Sequence, residues 1–182
     1  MTCIVGLLYK KCVYLGGDSA GVSGLDLTVR ADQKVFKNKG FIFGFTSSFR
    51  MGQLLRYKLE IPPPPVSQTS EAVYRYMVTE FIDSVRTCLK DGGCAKNDKS
   101  GGEIGGVFLV GYQNRLFSID SDYQVGIPSA GYDAVGCGDA YALGSLFSSQ
   151  KEKNAQKRIK LALEAAAHLS GGVCPPFNII HT

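Results

Sequence analysis

The sequence predicts an α+β fold in which two antiparallel sheets stack face to face, with a layer of helices outside each sheet. Three observations predict it. The elements follow the order strands, two helices, strands, two helices, strand; the early strands are separated by tight turns; and the long helices each have one apolar face. Because 182 residues suit one compact core, we expect a single domain over residues 1–182.

The first half of the chain is predicted to begin with strands and to continue into two helices. Apolar, β-branched segments between polar turns predict strands over residues 3–9, 12–15, 27–30, 34–37 and 41–45. Residues 21–24 are predicted to form a turn because glycine stands at both ends. Helical periodicity predicts helices over residues 49–59 and 70–89, separated by a proline-rich connector.

The second half is predicted to repeat this order. Its predicted elements are a polar loop over residues 91–102, strands at 107–110 and 116–119, helices at 140–149 and 154–169, and an extended tail at 173–180. In the 70–89 helix, apolar residues recur every fourth position. This stripe consists of Val73, Met77, Phe81 and Val85.

Composition excludes several kinds of partner. The net charge of +4 is mild and spread along the chain, so no nucleic-acid surface is expected. No apolar run reaches the roughly 18 residues of a membrane span, and no signal peptide is recognisable, so we expect no membrane partner and a cytoplasmic location. The six cysteines have neither CxxC nor zinc spacing, which predicts reduced thiols and no metal site.

The N-terminal segment has the residues of a nucleophilic site. If Met1 is removed, Thr2 carries both a hydroxyl nucleophile and its own base, the α-amine. Asp18 lies about one strand downstream, and Lys34 lies one return strand further. An acid and a lysine at these distances can complete an N-terminal-threonine site.

Four segments together resemble the proteasome β-subunit superfamily, and most of all the bacterial HslV-type proteases. They are the TCIVG start at Thr2, the GGD motif ending at Asp18, the KV pair at Lys34, and the small-residue turn at Cys137, where the family usually has serine. The resemblance covers nearly the whole chain in order and length. It implies the four-layer αββα sandwich of the N-terminal nucleophile (Ntn) hydrolases.

The resemblance implies a role for each of these catalytic candidates. The Thr2 hydroxyl would attack the scissile carbonyl, and the free α-amine, with an ordinary pKa of about 7.7–8.0, would take its proton. Lys34 would supply a fixed positive charge that Asp18 holds in place. A backbone N–H near Ser47 would form the oxyanion hole, and Cys137 would belong to the same site.

The resemblance also implies a polypeptide substrate and an assembly. Gly21 and Val22 would pair with an extended substrate, Phe45 would form the floor of the pocket for the residue before the cut, and Asp32 would line that pocket. Family members form hexameric or heptameric homo-oligomeric rings, often stacked in pairs. An ATPase unfoldase would be a separate polypeptide because this chain has no P-loop, and no cofactor is expected.

Departures from the family pattern leave other interpretations open. Ser47 stands where the family has small residues, and Gly172 stands where it has an acid. A catalytically silent ring subunit and an Ntn amidohydrolase acting on a small amide are therefore alternatives. A G-x-S-x-G pattern around Ser19 suggests a serine hydrolase as a further interpretation. A nucleophile elbow leads into a helix, however, and the residues after Ser19 are β-like.

Overall fold

Two antiparallel sheets form the centre of the protein. The computed structural model describes residues 1–96 and 103–182. The first sheet contains, in spatial order, β12 (Tyr132–Gly136), β1 (Cys3–Tyr9), β2 (Cys12–Gly17) and β13 (Asn178–His181). The second contains β11 (Val125–Gly126), β10 (Arg115–Ile119), β9 (Phe108–Tyr112), β6 (Phe41–Phe45) and β5 (Val35–Asn38).

Helices cover the outer face of each sheet. Helices α4 (Asp139–Ser148) and α5 (Ala155–Leu169) pack on the first sheet, and α1 (Phe49–Tyr57), α2 (Ser70–Tyr76) and α3 (Ile82–Asp91) pack on the second. Separate apolar clusters join each helix layer to its sheet, and a third cluster joins the two sheets. The predicted four-layer αββα sandwich is confirmed.

Strand β1 shows how the sequence produces these layers. Successive side chains of a strand point to opposite faces, so an apolar strand can serve two cores at once. Ile4 belongs to the cluster between the sheets, whereas Cys3 and Val5 belong to the cluster under α4 and α5. All three side chains are fully buried. This continuous burial explains why β1 is apolar at every position from Cys3 to Val5.

A π-helical turn, Met77–Phe81, joins α2 to α3. In a regular α-helix, residues four positions apart are rotated by about 40° around the helix axis from one to the next. A stripe with this spacing would therefore turn away from the buried face. A π-turn has a wider hydrogen-bond ring and slows this drift. The four stripe residues Val73, Met77, Phe81 and Val85 are accordingly all fully buried.

The prediction of a turn over residues 21–24 is wrong. Ala20–Ser23 forms strand β3, which pairs with β4 (Asp26–Val29) as a separate two-stranded ribbon. The turn lies at its tip, where Gly24 has a positive φ of 58°. Pairing between the two segments supplies backbone hydrogen bonds that the glycine content of β3 does not reveal.

Other differences concern short strands. Strands β11 and β12 were not among the predicted elements. In the predicted extended tail, the strand is confined to Asn178–His181, which pairs with β2. Within the predicted 91–102 loop, α3 runs on to Asp91, and Ala95–Lys96 forms β7, paired with β8 (Glu103–Ile104). Residues 97–102 of that loop lie outside the described residues. Among helices in the described ranges, none is long and apolar enough to cross a bilayer.

Candidate active site

Thr2, Asp18 and Lys34 meet in a buried cluster at one end of the stacked sheets. The Lys34 ammonium donates to the Thr2 hydroxyl Oγ1 at 2.8 Å and to Asp18 Oδ1 at 2.9 Å. Their exposed fractions are 3%, 1% and 1%, in chain order. The lysine therefore bridges a hydroxyl and a carboxylate away from bulk water.

Strand pairing places these residues. Thr2 precedes β1, Asp18 follows β2, and Lys34 precedes β5. The β1–β2 hairpin pairs Ile4 with Gly17, which brings Asp18 beside the start of β1. A Cβ on Gly17 would lie only 3.0 Å from an Ile4 methyl, so glycine allows this close packing.

Backbone amides also hold the Asp18 carboxylate. Cys3 N donates to Oδ1 at 2.9 Å, and Ala20 N and Cys174 N donate to Oδ2 at 2.8 and 3.5 Å. A buried carboxylate is costly unless its oxygens are paired and hydrogen-bonded, and here both oxygens have donors. The Lys34 ammonium and the three backbone amides thus compensate the buried carboxylate on both of its oxygens.

The thiol beside this ion pair stays neutral. Burial, followed by the nearby Asp18 carboxylate, raises the pKa of Cys3 to about 12 from an ordinary value of 9.0. Cys3 is therefore a small apolar residue under the site at neutral pH. Burial and Asp18 likewise raise the pKa of Cys174.

Cys137 contacts the backbone of Thr2. The Thr2 peptide N–H donates to Cys137 Sγ at 3.4 Å, and the thiol can donate to the Thr2 carbonyl oxygen at 3.5 Å. Ser170 Oγ lies 3.3 Å from the same sulfur. The preceding residue, Gly136, has φ 109°, and a Cβ there would lie 2.1 Å from the Thr2 oxygen. Only glycine fits this position.

Met1 covers the nitrogen of Thr2. The Thr2 hydroxyl donates to the Met1 carbonyl oxygen. The Met1 side chain lies against Gly172, and a Cβ added to Gly172 would be 2.4 Å from the Cβ of Met1. The nitrogen is an amide while Met1 is attached, and an amide is not a base. Gly172 thus leaves room for Met1.

Ser47 lies at the apex of a tight turn between β6 and α1. Its φ is 64°, and Ser48 N donates across it to the Thr46 carbonyl at 2.7 Å. Two contacts brace the turn. Thr46 Oγ1 donates to the Val107 carbonyl at 2.8 Å, and Ser48 Oγ caps α1 by accepting from Met51 N at 3.1 Å. The serine is exposed at the cleft beside Met1.

We expect Ser47→Gly to stabilise the protein without loss of activity. A positive φ costs a non-glycine residue roughly 1 kcal/mol, and glycine removes that cost while keeping the backbone N–H. Chemical unfolding should show a higher midpoint, and any reaction at Thr2 should proceed at the unaltered rate or faster. A slower reaction would show that the Ser47 hydroxyl itself takes part.

Two recesses lie near the cluster, and both are lined by Phe49, whose ring centre is 5.7 Å from the Lys34 ammonium. A cleft of about 240 Å³ is lined by Gly21, Val22, Arg30, Ser47 and Phe49, together with Met1 and three other residues of the β3–β4 ribbon. A pocket of about 180 Å³ is lined by Asp32, Phe45 and the same Phe49, among others. The Phe45 ring packs directly on Gly52, where a Cβ would lie 2.2 Å from it. The residues proposed for substrate binding thus divide between two neighbouring recesses.

Ser19 is not placed as a nucleophile. It is 2% exposed, and its hydroxyl donates to the Pro176 carbonyl at 2.6 Å. It lies between strands β2 and β3, whereas a nucleophile elbow joins a strand to a helix. The structure therefore contradicts the serine-hydrolase interpretation.

The fold is similar to that of three solved proteins, BPH, HslV and Anbu, and the predicted likeness to an HslV-type fold is thus confirmed. BPH from Thiobacillus denitrificans is similar with a TM-score of 0.80 and 16% identity, covering 99% of this chain and 97% of its own; its complex with epoxomicin gives 0.79. HslV from Trypanosoma brucei gives 0.68 at 18% identity, covering 98% of both chains. An Anbu mutant from Hyphomicrobium sp. strain MC1 is similar with a TM-score of 0.68 and 14% identity, and the match covers 98% of this chain and 80% of the Anbu chain.

These similarities are structural. No protein-family model matches the chain, and no curated protein matches its sequence. At such low identities the likeness establishes the fold alone, so the reaction has to be argued from the site. Within the described residues, no group of three or more His, Cys, Asp or Glu side chains is placed to hold a metal.

Sequence reasoning named most of the residues around the cluster but missed some. Arg30, Phe49, Gly136 and Ser170 contact the site or line its recesses without having been singled out. Gly136 had a usable signal, since it stands in the small-residue turn before α4. Arg30 and Ser170 had none, because their positions depend on the β3–β4 ribbon and on the end of α5.

Proposed function

We propose that this protein is a threonine-type endopeptidase in which Thr2, once Met1 is removed, is the N-terminal nucleophile. One observation carries the proposal: the Lys34 ammonium lies 2.8 Å from the Thr2 hydroxyl and 2.9 Å from Asp18 in a buried cluster. A buried cation touching a hydroxyl lowers the cost of ionising it, which is what a threonine nucleophile needs.

In the proposed reaction, Thr2, its α-amine, Lys34 and Asp18 each have a distinct role. The Thr2 Oγ attacks the scissile carbonyl, and its proton passes to the free α-amine, directly or through a water. Lys34 stabilises the forming alkoxide as a fixed positive charge, and Asp18 holds its ammonium in place. The protonated α-amine then gives this proton to the leaving nitrogen, so that collapse of the tetrahedral intermediate releases the amine product and leaves an ester at Thr2. Water then hydrolyses this ester and regenerates the hydroxyl.

Ser47 supplies the oxyanion hole in this proposal. Within the described residues, nothing accepts a hydrogen bond from its backbone N–H, and the braced turn fixes the direction of that group. A rigid donor needs no reorganisation when charge develops, and one such donor contributes about 3 kcal/mol to transition-state binding. Cys137 positions the freed Thr2 amine through its thiol.

The substrate in this proposal is an extended polypeptide. Strand β3 has β4 as its single strand neighbour in the described chain, so its other edge is open for Gly21 and Val22 to pair with a substrate strand. Phe45 and Asp32 line the pocket for the side chain before the cut.

We extend the proposal to the assembly through the family resemblance. The protein would form a hexameric or heptameric homo-oligomeric ring, single or stacked in pairs, in the cytoplasm. An ATPase unfoldase on another polypeptide would feed it, because a closed chamber admits little folded protein. Sedimentation of the purified protein tests the ring directly.

The silent ring subunit remains the second candidate, and it applies if Met1 is kept. While Met1 is attached, it blocks the amine, and it lines the same cleft as Gly21 and Ser47. A chain that kept Met1 would have the fold and the ion pair without a base.

Intact mass before and after incubation with epoxomicin separates the two candidates. A peptide epoxyketone forms its ring adduct only with a free N-terminal amine and the hydroxyl of the same residue, and BPH has been solved with epoxomicin. We expect loss of Met1 and one adduct per chain. A retained Met1 with no adduct would refute the peptidase and leave the silent subunit.

A further inference from the structure

Arg30 and Asp32 form an ion pair between the two recesses. Arg30 Nε and Nη2 each donate to a different Asp32 oxygen at 2.7 Å. Arg30 lines the 240 Å³ cleft and Asp32 lines the 180 Å³ pocket. The pair therefore places a compensated carboxylate in the wall of the pocket that the proposed function assigns to substrate.

Three neighbours hold the Arg30 side chain in this position. Its stem crosses Gly21, where a Cβ would lie 3.0 Å from Cγ, and its guanidinium lies 4.1 Å from the centre of the Phe49 ring. Asp32 completes the arrangement with two parallel hydrogen bonds. An isolated surface pair contributes little, but a bidentate and stacked guanidinium has a defined geometry. The hydrogen bonds from Arg30 also lower the pKa of Asp32.

Four of the other eight residues that line the pocket are aromatic, and two more are the polar Gln33 and Gln53. Phe36, Phe45, Phe49 and Tyr57 line it, and Arg56 at its edge stacks near Phe36 and Tyr57, with its guanidinium 5.7 and 5.1 Å from their ring centres. An aromatic pocket with one carboxylate would accept lysine or arginine if that carboxylate were free. Because Arg30 donates to both oxygens of Asp32, the pair carries no net charge and attracts a cation less than a free carboxylate would.

We propose that Arg30 determines specificity by neutralising Asp32, so that the pocket selects a large apolar side chain before the cut and rejects lysine and arginine. This inference rests on the proposed function for its catalytic meaning. The ion pair in the wall of the pocket, and not the size of the pocket alone, would then determine which substrate side chain is accepted.

Cleavage of matched fluorogenic peptides with Phe or Lys before the reporter amide tests the inference. We expect the native protein to prefer Phe, and Arg30→Gln to raise the Lys-to-Phe ratio of kcat/KM about tenfold, since an uncompensated carboxylate attracts a cation in a partly enclosed site. The gain should shrink with added salt. Arg30→Gln with Asp32→Asn should lose the gain, and Arg56→Gln should not produce it.

A binding measurement distinguishes failure of this inference from failure of the peptidase. Thr2→Ala cannot react, so titration of acetylated tripeptide amides ending in Phe or Lys into Thr2→Ala, with and without Arg30→Gln, reports the pocket alone. A switch in binding to the Thr2→Ala variants, together with no cleavage by the protein that retains Thr2, would support the role of Arg30 and refute the peptidase. An unchanged preference after Arg30→Gln, or a gain that persists with Asp32→Asn, would overturn the inference.

Discussion

Thr2→Ala is expected to abolish peptide cleavage and the epoxomicin adduct while leaving the fold intact. Alanine keeps the α-amine and remains a small residue after Met1, so only the hydroxyl is removed. The hydroxyl accepts a hydrogen bond from Lys34 in a site that is otherwise held by Asp18, so we expect a stability loss of about 1 kcal/mol or less. Turnover, intact mass and thermal unfolding measure the three effects.

Two further variants make this result specific. Thr2→Ser retains both the nucleophile and the base, so it should still form the adduct. Ser19→Ala removes a buried hydroxyl that donates to Pro176, which should cost about 1 kcal/mol of stability and no activity. Near-native turnover by Thr2→Ala, or inactivity of Ser19→Ala with a native fold, would contradict the threonine mechanism.

Lys34→Met is expected to reduce reaction at Thr2 by on the order of 10³-fold and to destabilise the fold. It removes the cation beside the hydroxyl and leaves the Asp18 carboxylate buried without its ion partner. Breaking a buried pair costs about 3–5 kcal/mol, and because three backbone amides still donate to Asp18 we expect about 3. Denaturant unfolding and the rate of adduct formation measure the two effects.

The matched control is a double-mutant cycle. Asp18→Asn alone leaves the Lys34 ammonium buried and unpaired, and it should destabilise the fold by a similar amount. With Asp18→Asn added to Lys34→Met no buried charge remains, so stability should recover by about 2 kcal/mol relative to either single variant while reactivity stays lost. A reactive double variant would show that the ion pair serves only the fold.

The fold could be predicted well because its layers follow from local patterns. Apolar strands such as β1 and the periodicity of α5 determine which faces are buried, whatever their partners are. The β3–β4 ribbon could not be predicted in this way, because its glycines favour a turn and its strand structure depends on pairing between Gly21 and Thr28. Strand β13 likewise exists only through its pairing with β2.

The sequence by itself determined the composition of the candidate site: a threonine next to Met1, an acid after a glycine pair, and a lysine one strand further, with their order and spacing. Only the tertiary structure decided that Lys34 touches both Thr2 and Asp18, that Cys137 lies against Thr2, and that Arg30 compensates Asp32 beside Phe49. The first three contacts join residues 32, 16 and 135 positions apart. Local conformational propensity does not specify contacts between residues so far apart in the sequence. Sheet stacking and strand register bring these side chains within hydrogen-bonding distance.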